Sequence, residues 1–356
     1  MERPAFPAGW CAMGSPANGA EDAETANLNY VDPSSPGYGR QRSGRGFRYL
    51  TPGGAALRKP AALERVRALV IPPAWTSVWI CPDPRGHIQA VGQDDRGRRQ
   101  YIYHPRFREA REAAKFEHML AFAKALPRLR RRVAKDMAQP GHGRRKVLAT
   151  VVNLLETTLI RVGSETYARD NGSFGLTTLR ARHVEVNGAE LRFHFKGKSG
   201  KTWRLKLRDR RVAAVVKGCQ DLPGQDLFQY LDEAGDRQSV TSADVNAYLK
   251  DASGAPITAK DFRTWGGTLL AASVLAAAGP AASRTEAKAQ VAAAIRQVAA
   301  SLGNTPAICR KCYVHPEVLS AYLDVGLVLD TARAPAARGL RPEEAAVMAF
   351  LASRAG

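Results

Sequence analysis

Four stretches hold side chains able to do chemistry on a phosphate. "IRVGSETYARDNGSFGLTTLR" (residues 160–180) puts Arg161 at the end of an apolar run, where a surface leucine would serve equally well. "FHFKGKSGKTWRLKL" (193–207) sets Lys198 among glycines and further lysines. "ITAKDFRTWGGT" (257–268) carries Arg263 inside an amphipathic pattern, and "LGNTPAICRKCYVHPEV" (302–318) has Tyr313 among basic residues, nine positions after Asn304. Each has an ordinary rival explanation. The arginines are surface charges in a basic chain, Lys198 polarises a turn, and Tyr313 is a core phenol reaching water with its hydroxyl.

Gly200-Lys201-Thr202 also invites a nucleotide-loop reading, which the spacing rejects. Such a loop needs a glycine where Phe195 stands, and a helix behind it whose N–H groups cradle phosphate. Residues 191–195 and 203–207 instead alternate apolar and polar, the pattern of half-buried strands. Gly197-Lys198-Ser199-Gly200 is then a hairpin tip, and Asn187-Gly188 marks a second hairpin just upstream. The segment is expected to be a three-stranded antiparallel meander with Lys198 on a tight turn.

At 356 residues the chain is long enough for two cored domains. Fifty-three Lys and Arg against 33 Asp and Glu leave a formal +20, spread over both halves. So large an excess points to a polyanionic partner, with nucleic acid ahead of a membrane surface. No apolar run is long enough to cross a bilayer, and no basic-then-apolar secretory start is visible. Cys11, Cys81, Cys219, Cys309 and Cys312 make no disulfide framework, and the lone Cys309-Arg310-Lys311-Cys312 lacks the second pair that a zinc site wants. Free thiols in a reducing cytoplasm are expected.

The elements that must position these residues read as an α+β protein. Residues 1–45, rich in Gly, Pro, Ser and Ala, suggest a flexible tail. Residues 46–110 form a small β-rich N-terminal domain: a helix over 61–70 with Leu63, Val66 and Val70 on one face, then strands at 78–80, 87–91 and 99–103. The turn between the last two carries Asp94 and Asp95, read as solvated turn residues. Residues 111–335 form a mostly α-helical catalytic domain carrying the meander, with a long buried helix over 146–167 and further helices over 242–250, 258–278, 284–302 and 315–324. Residues 336–356 are a mobile connector and short terminal helix.

Arg161, a hairpin Lys198, Arg263, Asn304 and Tyr313, in that order, resemble the signature of type IB DNA topoisomerases, in their compact bacterial and poxvirus-like branch. "RVGSETYARDNGSFGLTTL", "FKGKSGK", "KDFRTW" and "CRKCYVHP" carry the resemblance, with "GRRQYIYHPRF" adding to it nearer the N-terminus. It spans roughly residues 45–330. It implies a C-shaped, monomeric clamp on duplex DNA that relaxes supercoils through a 3′-phosphotyrosyl intermediate. No ATP, nucleotide cofactor, required metal or membrane is implied, and the place of action would be the cytoplasm, on the nucleoid.

Carried over by residue, the resemblance makes Tyr313 the nucleophile. A phenol ionises near pH ~10, so at neutral pH its ionisation costs roughly 4 kcal/mol unless cations assist. Arg161 and Arg263 become the phosphate clamp, whose planar forks stabilise a five-coordinate transition state. Lys198 becomes the general acid for the leaving 5′-oxygen, with Lys196 and Lys201 making it a readier donor by repulsion. Asn304 departs from the histidine of poxviral and cellular relatives; its amide donates but does not titrate. Lys260 matches a phosphate-holding lysine, where the related tyrosine recombinases usually carry histidine. Gln100, Tyr101, Tyr103, Tyr167 and Lys201 are implied DNA contacts, the tyrosines having packing as their rival role. Two alternatives stay open: a tyrosine site-specific recombinase, and a basic DNA-binding protein with a decayed site.

Overall fold

The computed structural model describes residues 19–327, 329 and 339–354, without the side chains of residues 112, 113, 115 and 117. By its internal contacts the chain divides into two compact units, one over Ala12–Phe116 and the other from Glu117 onward.

The first unit begins with α1 (Gly19–Thr25), β1 (Tyr38–Ser43), β2 (Gly46–Leu50) and α2 (Pro60–Ala68). It continues with β3 (Thr76–Ile80), β4 (Ile88–Gln93) and β5 (Arg99–Tyr103). The five strands form one antiparallel sheet in the order β2-β1-β3-β4-β5. Val66 of α2 packs with Leu57, Ile71, Trp75, Val78, Ile80 and Ala90 as its core. Two expectations fail here. The stretch taken as a tail contributes α1 and the inner strand β1, because Ala23 and Leu28 bury against Phe107 and β1 pairs with β2 and β3. Residues 1–18, Cys11 among them, lie outside the described part. The 61–70 helix stops at Ala68, and Val70 turns to a φ of 47° and is 80% exposed, so the buried apolar neighbour is Ile71.

A 33-residue helix, α3 (Pro105–Met137), begins in this unit and continues into the second, so the expected boundary near residue 110 falls inside a helix. The second unit then runs α4 (Arg144–Thr158), α5 (Glu165–Asn171), β6 (Val184–Asn187), β7 (Glu190–Lys196), β8 (Thr202–Arg208) and α6 (Arg210–Gln220). After the short ribbon β9 (Gln229–Leu231) and β10 (Arg237–Ser239) come α7 (Ser242–Ser253), α8 (Ala259–Ala278) and α9 (Arg284–Leu302). It closes with α10 (Pro306–Cys312), α11 (Pro316–Val325) and α12 (Pro342–Ala352). Starts are set by side chains satisfying the first free N–H groups: Asp209 caps α6, Thr241 α7, Ser283 α9 and Thr305 α10. Among the described residues no helix is long and apolar enough to cross a membrane.

The meander forms as expected, with Phe193 facing Val184 on one side and Leu205 on the other. Leu191, Phe193 and Phe195 are buried, while Arg192, His194 and Lys196 alternate outward. The helix expected over 146–167 is two helices. Leu159 adopts a φ of 55° and ends α4, which frees the chain before Arg161. α6 and α10, and the β9–β10 ribbon, went unread in the sequence.

The short terminal helix forms as expected and is packed; of the stretch around it, residues 336–338 and 355–356 lie outside the described part. Glu344 is fully buried, accepting from Arg130 at 2.8 and 2.7 Å and from Arg341 at 2.7 Å, and Arg130 also donates to Glu156. Burial alone would raise this carboxyl, but hydrogen bonds from Arg130 and Arg341 outweigh it and hold it at about 2. A depressed folded value means the contribution to stability is present above the ordinary glutamate value of 4.5 and is lost as pH falls toward about 2. Glu344→Gln should therefore cost roughly 3 kcal/mol at neutral pH, the low end for a broken buried pair because Arg130 keeps Glu156. In thermal unfolding, the gap between wild type and variant should narrow across that acid window; a gap constant with pH would contradict the charge assignment.

Candidate active site

The helix α8 supplies two members of the site. Its first turn is closed by Asp261, which accepts from the Thr258 amide at 2.8 Å and the Thr258 hydroxyl at 3.0 Å. That turn presents Lys260, exposed, and Arg263, which is 3% exposed. The Arg263 fork bridges two helix ends: Nη1 donates to the Leu159 carbonyl after α4, and Nη2 to the Leu302 carbonyl of α9 at 2.7 Å. Both carbonyls lie at the electronegative end of a helix, a favourable place for a cation. Its buried Nε has no partner among the described residues. Burial, with the Arg161 charge nearby, lowers Arg263 to about 10, so it stays protonated at neutral pH.

Farther along α8, the chain makes room for the nucleophile candidate. A Cβ on Gly267 would come within 2.7 Å of the Tyr313 carbonyl, so only glycine allows the α10–α11 turn to lie so close. The neighbouring Thr268 hydroxyl donates to that carbonyl at 3.3 Å and accepts from the His315 amide at 3.0 Å. Tyr313 follows directly on α10, and its ring lies 5.2 Å from the Arg263 Cζ.

Arg161 stands in the extended segment between α4 and α5, so it does not close a helix as the apolar run suggested. Its Nη2 donates to Asn304 Oδ1, while the buried Asn304 Nδ2 has no partner among the described residues. Lys198 sits on the β7–β8 tip, where Ser199 at φ 63° and Gly200 at φ 73° turn the chain back and the Gly197 amide donates to the Lys201 carbonyl at 2.8 Å. Its Nζ lies 5.9 Å from the centroid of the Tyr167 ring, which is 38% exposed.

One cleft of about 260 Å³ is lined by Arg161, Tyr167, Lys198, Lys260, Arg263 and Tyr313. Six residues foreseen in the sequence thus meet on one wall. Asn304 reaches the cleft through Arg161, and Lys201 does not line it. Gln100, Tyr101 and Tyr103 lie in the other unit. There Tyr101 stacks on Tyr103 at 5.8 Å and Tyr103 on Phe107 at 5.4 Å, while Gln100 donates to Asp94 at 2.9 Å. Asp94 is no idle turn residue, since Arg98 and two turn amides hold its carboxyl at about 2. Ser173, Phe174 and Gly175 also line the cleft and were missed. The Phe174 amide donates to the Lys196 carbonyl at 2.8 Å, joining that loop to the hairpin; no residue-type signal announced it.

Cations that converge with a phenol on one hollow can grip a phosphate ester and stabilise charge developing on it; the class is that of proteins acting on phosphate esters. The comparisons give the family. The catalytic core of eukaryotic DNA topoisomerase I matches residues 104–327, and the N-terminal domain of bacterial DNA topoisomerase IB matches residues 46–94. DNA topoisomerase 1B of Acanthamoeba polyphaga mimivirus is 34% identical over 267 residues, covering 73% of this chain and 80% of the viral protein. DNA topoisomerase 1B of vaccinia virus (strain Copenhagen) is 25% identical over 242 residues, covering 66% and 72%. This chain belongs to the type IB DNA topoisomerase family and is an enzyme of that family.

Proposed function

We propose that this enzyme relaxes supercoiled duplex DNA by cutting and resealing one strand through Tyr313. The Tyr313 Oη attacks the scissile phosphorus and its proton passes to solvent; the P–Oη bond forms as the bond to the 5′-oxygen breaks. Lys198 Nζ gives that oxygen a proton, so a hydroxyl departs in place of an alkoxide. Arg161 and Arg263 carry the charge of the five-coordinate state, Arg263 using donors left after its two carbonyl bonds. Lys260 holds the phosphate, and Tyr167, Lys201, Gln100, Tyr101 and Tyr103 contact DNA farther out. The free end rotates, then the 5′-hydroxyl attacks the phosphotyrosine and returns its proton to Lys198; the bond to the 5′-oxygen re-forms as the P–Oη bond breaks, and the Tyr313 oxygen takes a proton from solvent. Bond energy stays in the covalent link, so neither ATP nor a metal is needed, and one chain acts alone.

The observation that carries this reading is the single cleft lined by Arg161, Lys198, Lys260, Arg263 and Tyr313, side chains drawn from four remote parts of the chain. The test is relaxation of supercoiled plasmid in EDTA without ATP, with the adduct mapped after trapping. Relaxation with the label on Tyr313 supports it; binding without nicking, or recombination between two defined sites, overturns it. Binding should weaken steeply with salt as phosphate contacts release counterions.

Asn304 takes the place of a histidine donor to a non-bridging oxygen, with its unused Nδ2 as the N–H. Asn304→His should keep relaxation within about tenfold, the scale of one exchanged neutral hydrogen bond. Loss as complete as for a missing nucleophile in a plasmid relaxation time course would overturn the reading of Asn304 as the counterpart of that histidine.

A further inference from the structure

Lys198 stands on an exposed turn at the end of a two-stranded arm, and a proton donor must lie within hydrogen-bond reach of its acceptor. Something has to fix that arm against the helices that hold the other cleft residues. The half-buried Trp203, on β8, occupies the right place. It pairs across the ribbon with Phe195, the two rings lying 6.1 Å apart and 2° from parallel. One edge of its indole covers Gly197, the residue before Lys198: a Cβ there would meet the indole Nε1 at 2.6 Å. The same edge, a little farther along, covers Gly303, the residue before Asn304: a Cβ there would meet Cζ2 at 2.7 Å. Gly303 ends α9 with a φ of 63°, next to the Leu302 carbonyl that holds Arg263. A single rigid ring thus spans from the neighbour of Lys198 to the neighbour of Asn304, and both neighbours lack a side chain where it rests.

We infer that Trp203 is a positioning residue for proton delivery, seating the Lys198 hairpin against the α9–α10 turn so that the ammonium meets the leaving 5′-oxygen. This rests on the reading of Lys198 as the general acid. A flat indole with two torsions loses little freedom when wedged, so it sets a spacing that a flexible aliphatic chain would leave loose. Trp203 is not among the residues that line the cleft and acts through the turn it supports.

The test uses the full chain and two duplexes cut at the same mapped position, one with the natural 5′-oxygen and one with a bridging sulfur there. A thiolate departs without a proton, so the sulfur duplex bypasses the acid. Lys198→Ala should be slow on oxygen and near wild type on sulfur. Trp203→Ala should show the same split in milder form, with oxygen cleavage down about 10- to 100-fold, part of the roughly 10²–10⁴ that a positioned acid contributes. Sulfur cleavage should hold within about threefold, and Trp203→Phe should recover most of the loss. Gly303→Ala, which crowds the indole from the end of α9, should reproduce the pattern even if Trp203→Ala folds poorly. Equal losses on both duplexes for Trp203→Ala and Gly303→Ala, while Lys198→Ala discriminates, would overturn the positioning role alone. If Lys198→Ala itself fails to discriminate, the acid assignment falls and this inference with it.

Discussion

Replacing Tyr313 with phenylalanine is expected to leave a folded protein that binds duplex DNA and never becomes linked to it. The ring volume is kept, so the close approach of Gly267 and the Thr268 bond to the Tyr313 carbonyl persist. What is lost is the Oη and its hydrogen bond with Arg263, worth about 1 kcal/mol of stability. On the proposed mechanism, cleavage loses its nucleophile. The rate should fall on the order of 10⁴-fold or more, with binding and its salt dependence unchanged. Denaturing gels of protein mixed with end-labelled duplex read this directly. A covalent band surviving in Tyr313→Phe would move the nucleophile elsewhere.

Arg263→Lys is the second large effect, and it should strike fold and chemistry together. The guanidinium satisfies the Leu159 and Leu302 carbonyls at once, whereas an ammonium is a single point unable to span both. One buried carbonyl is left without a donor, at about 1–3 kcal/mol. On the proposed role of Arg263, the phosphate meanwhile loses a planar fork, which should cost about 10²–10³ in single-turnover cleavage, the scale of one donor removed from a developing anion. Thermal unfolding and cleavage measured on one preparation should both decline. A variant that melts like wild type would show that the carbonyl bridge is not what keeps this arginine buried.

The meander and Lys198 were legible in the sequence because a period of two and glycine-rich turns are local signals. The long helices α8 and α9 were legible from their apolar spacing. The break at Leu159 was not. Nothing in "LLETTLIRVG" distinguishes a leucine that will turn to positive φ, because the cause is remote: a carbonyl held by Arg263, over a hundred positions away in the chain. α10 is too short to show a period, and β1, with its Gly, Arg and Ser, carries no apolar alternation; pairing with two neighbours makes it a strand. The cleft residues were named by resemblance in pattern, yet the loop at 173–175 that walls the cleft was silent, since a backbone amide that joins it to β7 has no letter of its own.

Lys260 and Arg263 are built into α8, and that helix also carries the glycine and threonine on which Tyr313 rests. The residues proposed for grip and attack therefore share one support, while Lys198 is carried on a separate hairpin. On the proposed mechanism, any loosening of the arm would leave a broken strand fastened and waiting, since resealing there needs the same lysine to take its proton back. The lifetime of the open strand, and so the number of turns released per event, is then set at a joint between hairpin and helix, away from the reacting atoms.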